Sequence, residues 1–528
     1  MSQPPALKRA AEWKEISVDS DPLYQPSAEG RAAFERGDRL FGELGQTFSN
    51  EVMALISQAT RTDPAWQAPV RWLAQAAFCM DSASYLSRLL ERYWRARAPL
   101  YDPRRVAIAG FAPKFVPGKL ISIHHFGTSG SYLLSSLFDG HPGILAIPAG
   151  ARNLTMLLSV ACRDKAYSDA IIGILEILPF SRVASLYEIT EYNETYKNIH
   201  VDHHLLITTF AKIFRKLSPS SFENSQEEKN KSIRLAFFCF NAAYMAARGL
   251  PLPSQPHAIV HQAHGWTIEK AKFAGLFRDA ITIFTVREPF KAFGSQVLNG
   301  RIHHGGAGPA EAFWGAISPQ HFLAGGRRIA GVRKTLCVRF EDMKLRPEAL
   351  TRRLCEAVGL PWHPCMLEST FNGLPYVYSG SSGQVTGFTT TNLAKDYSSM
   401  LSGFDKLRID IIFQSHSRKW GYPITRFRQA RLAVQLNRAL LWLPFRAEWQ
   451  GLRERLADWR NPARLWQHLR DYAASYRRAH KMLIKSNNRN LLPGFEASIA
   501  DCIDCGDAPA QAAQQQGVER VKGIEPSS

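Results

Sequence analysis

The sequence predicts an α/β fold with a doubly wound, mostly parallel sheet, because it contains three successive units of buried strand, turn and helix. The first unit lies at Lys119–Pro148, the second at Ala280–Leu298 and the third at Thr335–Leu360. Each strand is a short apolar run, and the helices repeat apolar residues at a spacing of three or four. Ligands of such sheets bind at the carboxyl ends of the strands, so we expect the functional site there.

The strand of the first unit ends in a loop of small residues. After Leu120–Ile123 the chain reads Gly127-Thr128-Ser129-Gly130-Ser131, and a helix begins at Tyr132 and stops at Gly140. This arrangement brings free backbone N–H groups and the positive end of a helix dipole to one point, where a phosphate group commonly binds. No Gly-Lys-Ser/Thr closes the loop, so the sequence disfavours a nucleotide kinase.

Further motifs follow in the second and third units. Val286-Arg287-Glu288-Pro289 leads from the second strand into a helix that carries Ser295. The third strand ends at Arg339-Phe340-Glu341-Asp342, and its helix stops at Gly359-Leu360-Pro361-Trp362. We expect the Glu-Asp pair to be structural, as a cap or an ion pair inside the fold.

These motifs resemble, in order and spacing, those of the sulfotransferase superfamily that uses 3′-phosphoadenosine 5′-phosphosulfate (PAPS). That family carries an apolar strand, a basic residue with Ser-Gly-Thr-Thr, a helix and Asp-x-His-Pro, and then Arg and Ser eight residues apart. The matching stretches here are Ser129-Gly130-Ser131-Tyr132, Asp139-Gly140-His141-Pro142, and Arg287 with Ser295. The resemblance covers residues 119 to about 423 and includes a closing Gly421-Tyr422. Thr128 departs from the family, because it replaces the basic residue.

The resemblance implies a PAPS-dependent sulfotransferase. Such an enzyme moves a sulfuryl group, without a metal, to a hydroxyl or amine of a carbohydrate, lipid or small-molecule acceptor. It also implies a role for Arg287 and Ser295 at the 3′-phosphate, for which the donor fork of an arginine is well suited. The alternative for Arg287 is an ion pair with Glu288 or Asp279. The donor-binding residues expected on this basis are Gly127, Thr128, Ser129, Gly130, Ser131, Tyr132, Arg287 and Ser295.

Three histidines are candidates for the catalytic base that removes the proton of the acceptor. His261 and His264 stand near a strand end where relatives carry Lys-Thr-Pro, and His125 follows the first strand. Neutral imidazole is a suitable base near pH 7. His203 and His204 are further candidates, and a surface or core role remains open for each of these histidines.

A second function stays open beside the enzyme. Because Thr128 removes a cation from the loop, the chain could be a catalytically weak family member that binds a nucleotide or glycan and acts in assembly or membrane docking. The Gly/Ser-rich segment from Tyr378 to Phe388 is a candidate lid over the nucleotide, but it lacks the basic residue of the corresponding segment in relatives.

Composition limits the remaining classes. The chain has 528 residues, 45% hydrophobic and 21% charged, which is typical of a globular protein. Its eight cysteines are too few for a disulfide framework, and Cys502 and Cys505 form a CxxC without a second metal-binding pair. No apolar stretch reaches about 18 residues and no secretory signal begins the chain, so we expect a cytoplasmic protein.

The net charge of +19 is concentrated near the end of the sequence, since residues 426–490 hold 13 Arg and 2 Lys against 2 Glu and 2 Asp. This basic, amphipathic and Trp-containing segment is expected either to pack as a hairpin on the N-terminal helices or to lie on an anionic membrane surface. Nucleic acid is not an expected partner, because no binding module is recognised. The expected regions are a loose N-terminus (1–26), a helical region (27–118), the α/β domain (119–425, with a helical insertion at about 151–256), the basic helical segment (426–490) and a disordered tail (491–528).

Overall fold

The structure is a computed structural model. It describes residues 23–44, 48–79, 83–106, 119–124, 129–147, 168–177, 201–218, 225–253, 256–263, 273–303, 332–380, 383–397, 401–407, 409, 410, 417, 420–422 and 501–503, with single positions between 445 and 477. Its helices are α1 (Ala28–Glu43), α2 (Asn50–Thr62), α3 (Gln67–Cys79), α4 (Ala83–Arg97), α5 (Ser131–Ser136), α6 (Ser168–Ile177), α7 (His203–Leu217), α8 (Gln226–Ala247), α9 (Pro289–His303), α10 (Phe340–Leu345) and α11 (Pro347–Val358). Its strands are β1 (Lys119–His124), β2 (Ile144–Ala146), β3 (Ala258–Ala263), β4 (Asp279–Val286), β5 (Val332–Arg339), β6 (Thr370–Phe371), β7 (Leu374–Pro375), β8 (Val377–Gly380), β9 (Gly383–Thr386) and β10 (Asp501–Cys502).

The N-terminal helices α1 to α4 form a layer around buried aromatic side chains. Ser27 and Ser49 begin α1 and α2, because their side-chain oxygens accept hydrogen bonds from backbone N–H groups two or three residues into each helix. Trp66 and Trp72 are fully buried in this layer. These four helices precede the first strand, between residues 28 and 97.

A buried carboxylate joins the N-terminal layer to α6. Glu176 accepts hydrogen bonds from Arg97 Nε at 2.9 Å, from Tyr101 Oη at 2.9 Å and from Tyr93 Oη. Arg97 and Glu176 are 1% and 0% exposed at their side chains. Removing one partner would leave the other charge buried and uncompensated, so this cluster fixes α4 and α6 together.

The main sheet is parallel and has the order β10-β5-β4-β1-β3-β2. The chain starts in the middle at β1, moves to one edge at β2, returns through β3 and then crosses to β4 and β5 on the other side of β1. The strand order therefore reverses between β1 and β4, which is the switch point where α/β sheets bind ligands. The predicted doubly wound fold is confirmed.

Helices cover both faces of the sheet, and β3 shows this through neighbouring side chains. His261 packs edge-on against Phe237 of α8, whereas Gln262 donates a hydrogen bond to Ser131 Oγ of α5 at 3.3 Å. Successive strand residues point to opposite faces. Helices α8 and α5 therefore pack on opposite faces of the sheet. The loop that precedes α5 lies at the edge of the sheet where the parallel strands end.

The tail differs from expectation at residues 501–503. Asp501 and Cys502 form β10 beside Leu336 and Cys337 of β5, and Ile503 N donates to Cys337 O at 3.0 Å. Parallel pairing with a buried strand orders these residues, so the predicted disordered tail is wrong at this point.

The described positions of the basic segment include exposed apolar and basic side chains. Trp449, Leu456 and Trp466 are 51%, 45% and 70% exposed. Exposed arginines accompany them at positions 446, 453, 470 and 477. Contact with an anionic lipid surface stays a prediction. Within the residues that the structure describes, no helix is long and apolar enough to cross a membrane.

The contact between α4 and α6 depends on Gly173. A Cβ atom at this position would lie 2.6 Å from the backbone oxygen of Leu90. Gly173→Ala is expected to lower the free energy of unfolding by roughly 1–3 kcal/mol, because a backbone atom cannot move aside cheaply. Gly42→Ala in α1 is the matched control, since its Cβ meets no atom within 4 Å. Helix propensity alone predicts a gain of about 0.5–1 kcal/mol there. Urea denaturation measures both, and equal effects would contradict the close contact.

Candidate functional site

The loop after β1 is held from both neighbouring strands. Ser129 Oγ lies 2.7 Å from Thr285 Oγ1 of β4, and Ser131 Oγ accepts from Gln262 Nε2 of β3 at 3.3 Å. Gly130 has φ +81°, a left-handed conformation that suits glycine, and begins α5. The described part of the predicted anion loop therefore has a fixed position at the switch point. Gly127 and Thr128 lie outside the described residues.

The aromatic ring of Phe340 packs directly on this loop. A Cβ atom placed on Gly130 would lie 2.5 Å from Phe340 Cδ2, so only a glycine allows the ring to approach so closely. Phe340 begins α10 at the end of β5 and is 6% exposed. The ring thereby connects the end of the third strand-helix unit to the loop of the first.

Arg287 lies against the same ring. Its guanidinium carbon is 4.8 Å from the centre of Phe340 and 5.8 Å from the centre of Tyr397. Nη2 donates to the backbone oxygen of Asn392 at 2.9 Å, and the residue is 3% exposed. Since β4 is the neighbour of β1, the predicted arginine does lie beside the predicted loop.

Ser295 is 8% exposed on α9, the helix that begins at Pro289 as predicted. Its neighbour Gly294 packs on Tyr397, because a Cβ at Gly294 would lie 2.3 Å from Tyr397 Cβ. Tyr397 also contacts Arg287, so one tyrosine lies against both Arg287 and the residue that precedes Ser295.

The Glu-Asp pair of the third motif is structural, as predicted. Glu341 accepts from Glu288 N at 3.1 Å and from Tyr422 Oη at 2.7 Å, and burial raises its pKa. Asp342 pairs with Arg339 at 2.5 Å and Arg346 at 2.6 Å. Glu341 therefore joins the ends of β4 and β5 to the closing Gly-Tyr, and Asp342 fixes α10.

The Asp-Gly-His-Pro stretch is also structural. Asp139 accepts from Thr370 Oγ1 and from Gly373 N, both at 2.9 Å. His141 Nδ1 accepts from Gly143 N at 3.0 Å, so Nε2 carries the proton and donates to Pro361 O at 2.9 Å. Burial lowers the pKa of this imidazole, which favours the neutral form. The stretch binds the first unit to the Gly-Leu-Pro turn of the third.

The histidine candidates for the base have different outcomes. His125 and His264 lie outside the described residues. His261 is described, and it does not face the loop. Its ring, 2% exposed, lies edge-on to Phe237 and Phe273, on the sheet face opposite Ser131. The expected strand-end position is wrong for His261, because β3 continues to Ala263.

Two further histidines, His124 and His204, are also placed. His124 is buried, with Nε2 2.9 Å from Ser122 Oγ and its ring stacked on Phe284, so it is a core residue. His204 Nε2 accepts from Asp102 N at 3.0 Å, which joins α7 to the N-terminal layer.

Sequence reasoning missed Gln262 and Lys344. Gln262 is 1% exposed and faces α5, and its Oε1 is a buried acceptor without a hydrogen-bond partner among the described residues. Lys344 is 6% exposed, and its Nζ lies 5.7 Å from the centre of the Phe340 ring. The available signal was the spacing of four between Phe340 and Lys344, which places both on one side of a helix.

The segment from Tyr378 to Phe388 is not an irregular loop in its described part. It contains the antiparallel strands β8 and β9. Val377 pairs with Thr386 at one end of this hairpin, and Gly380 pairs with Gly383 at the other. Its role as a lid stays a prediction. Among the described residues no group of three or more His, Cys, Asp or Glu is placed to hold a metal ion.

Comparisons with known proteins add little. No family model matches the chain, and no curated protein does. The solved structures that are similar to it include the sulfotransferase STF9 from Mycobacterium avium, at 14% identity and a TM-score of 0.27. The alignment covers 66% of this chain and 87% of STF9. A TM-score this low supports no assignment, so the function must be argued from the site.

The approach of Phe340 to Gly130 can be tested with two glycines of similar conformation. Gly130→Ala and Gly140→Ala both introduce a side chain at positive φ, +81° and +72°, but only the Cβ at position 130 meets another atom within 4 Å. Both substitutions are expected to lower the free energy of unfolding by about 1–2 kcal/mol, because a side chain is strained at positive φ. Gly130→Ala should lower it by roughly 1–3 kcal/mol more, because its Cβ clashes with Phe340. Denaturation measures the difference. Equal losses would show that the ring does not pack on the loop.

Proposed function

We propose that the protein is a PAPS-dependent sulfotransferase that acts on a hydroxyl or amine of a carbohydrate, lipid or small-molecule acceptor. One observation carries this proposal. The buried guanidinium of Arg287 and the Gly130 backbone of the small-residue loop contact the same Phe340 ring at the switch point of the sheet. A phosphate-binding loop and a phosphate-binding arginine on adjacent strands suit a nucleotide with phosphates at two positions.

The described residues fit such a donor. The Phe340 ring occupies the space above Gly130, and the hydroxyls of Ser129 and Ser131 are hydrogen-bonded to Thr285 and Gln262, so the described loop residues are held in place beside the ring that Arg287 also contacts. In the proposal the loop holds the 5′-phosphosulfate, while Arg287 and Ser295 hold the 3′-phosphate. Arg287 presents a planar fork of N–H donors, which matches the geometry of phosphate oxygens.

When bound, PAPS supplies the sulfuryl group: the acceptor oxygen or nitrogen forms a bond to sulfur while the bond from sulfur to the bridging oxygen breaks, which leaves adenosine 3′,5′-bisphosphate. The protein positions the two reactants and stabilises the negative charge that develops on the leaving oxygen. A base takes the acceptor proton. His125 and His264 remain the candidates for this base, and Gln262 offers an acceptor oxygen on the loop side of β3.

The second candidate function is a binding protein without turnover, and Thr128 in place of a basic residue favours it. Both functions require the nucleotide site. An assay for transfer of a labelled sulfuryl group from PAPS to an acceptor distinguishes the two functions, because only the enzyme performs this transfer.

The nucleotide site is tested by calorimetric titration of adenosine 3′,5′-bisphosphate. Arg287→Ala is expected to weaken binding by about 2 kcal/mol, or roughly 30-fold, because a charge-assisted phosphate contact is lost. Arg234→Ala is the matched control, since Arg234 also donates to a backbone oxygen, that of Leu276 at 2.8 Å, but on α8. Unchanged binding by Arg287→Ala, with a folded variant, would refute the proposed site.

A further inference from the structure

A second buried cation lies beside Arg287. Lys344 lies in the last turn of α10, is 6% exposed, and donates from Nζ to the backbone oxygen of Gly387. Its ammonium group and the Arg287 guanidinium both contact the Phe340 ring, at 5.7 and 4.8 Å from its centre. Because the same ring packs on Gly130, Lys344 belongs to the surroundings of the loop.

The cations of this region donate to one segment of backbone. Arg287 donates to Asn392 O at 2.9 Å, Lys291 to Leu393 O at 2.8 Å and Lys344 to Gly387 O. Residues 387–393, which follow β9, thus present neutral carbonyl oxygens to three positive side chains. A carbonyl oxygen satisfies a donor but does not neutralise its charge.

Carboxylates do not neutralise Lys344 in the described structure. Glu341 and Asp342 of the same helix accept hydrogen bonds from other groups, Glu341 from Tyr422 and Asp342 from two arginines. Glu288 lies 3.5 Å from Lys291. No described carboxylate lies within 4 Å of Lys344 Nζ, so its charge is buried at a cost unless an anion enters.

The protonation of Lys344 reflects this environment. Burial and then the positive charge of Arg287 lower the pKa of Lys344 to about 8. An oxyanion bound near both side chains would favour the charged ammonium and raise this pKa. Anion binding near pH 8 should therefore be coupled to uptake of a proton.

We propose that Lys344 is a phosphate-binding residue, which meets the same phosphate group as Arg287 beside Phe340 and exchanges the carbonyl of Gly387 for that phosphate. The inference rests on the proposed function, because it assigns the phosphate as the 3′-phosphate of the nucleotide. It also gives the site a cation that compensates in part for Thr128.

The test is titration calorimetry of adenosine 3′,5′-bisphosphate at pH 8 in buffers of different ionisation enthalpy. The wild type is expected to take up about half a proton per nucleotide, since a group with a pKa of about 8 is half protonated at that pH. Lys344→Met should raise the Kd roughly 10- to 100-fold and abolish the uptake. Lys344→Arg should retain binding without uptake, because arginine is always protonated.

Two comparisons make the result specific. Lys334→Met is the matched control, because Lys334 Nζ also donates to a backbone oxygen, that of Ala357 at 3.1 Å. It should change neither the Kd nor the uptake. AMP, which lacks the 3′-phosphate, should bind wild type and Lys344→Met with the same Kd.

Each outcome decides between the two claims. If the wild type and Lys344→Met bind the bisphosphate equally while Arg287→Ala weakens it, the donor site stands and Lys344 is not part of it. Proton uptake that persists in Lys344→Arg also overturns the inference. If inorganic phosphate binds with a proton uptake that depends on Lys344, but the nucleotide does not bind, the anion site stands and its assignment to the nucleotide is refuted. If neither the nucleotide nor phosphate binds, both claims are wrong.

Discussion

The candidate site depends on the packing of one ring, Phe340, against a glycine that cannot be replaced without a clash. This contact sets the distance between the ends of β1 and β5, and Arg287 at the end of β4 fills the space between them. Two positive side chains, Arg287 and Lys344, consequently lie buried beside the loop that is predicted to bind phosphate. Burial makes such charges costly without an anion and effective with one.

Several polar residues that carry the motif resemblance hold the fold together. His141 bonds to Pro361, Asp139 to the turn before β7, and Glu341 to Tyr422, so each polar motif residue ties one strand-helix unit to another. These bonds fix the strand ends in relation to one another. Arg287 and the described loop residues lie at these strand ends, against the same Phe340 ring.

The sequence predicts much of this arrangement and misses specific parts for physical reasons. Arg287 could be found, because a parallel sheet brings a loop and an arginine at adjacent strand ends together. The sheet face on which His261 lies could not be predicted, because both faces of β3 are buried and the strand lacks an alternating pattern. Lys344 was missed because its burial arises from the backbone of residues 387–393, far along the chain. β10 is too short to show any periodicity.

The central claim is that one nucleotide with two phosphates bridges the loop and Arg287, and a crystal structure of the protein with adenosine 3′,5′-bisphosphate tests it most directly. We expect one phosphate at the backbone amides around Ser129 and Ser131, and the other within hydrogen-bond distance of Arg287 and Ser295. Nucleotide bound elsewhere, or bound with both phosphates away from Arg287, would contradict the account.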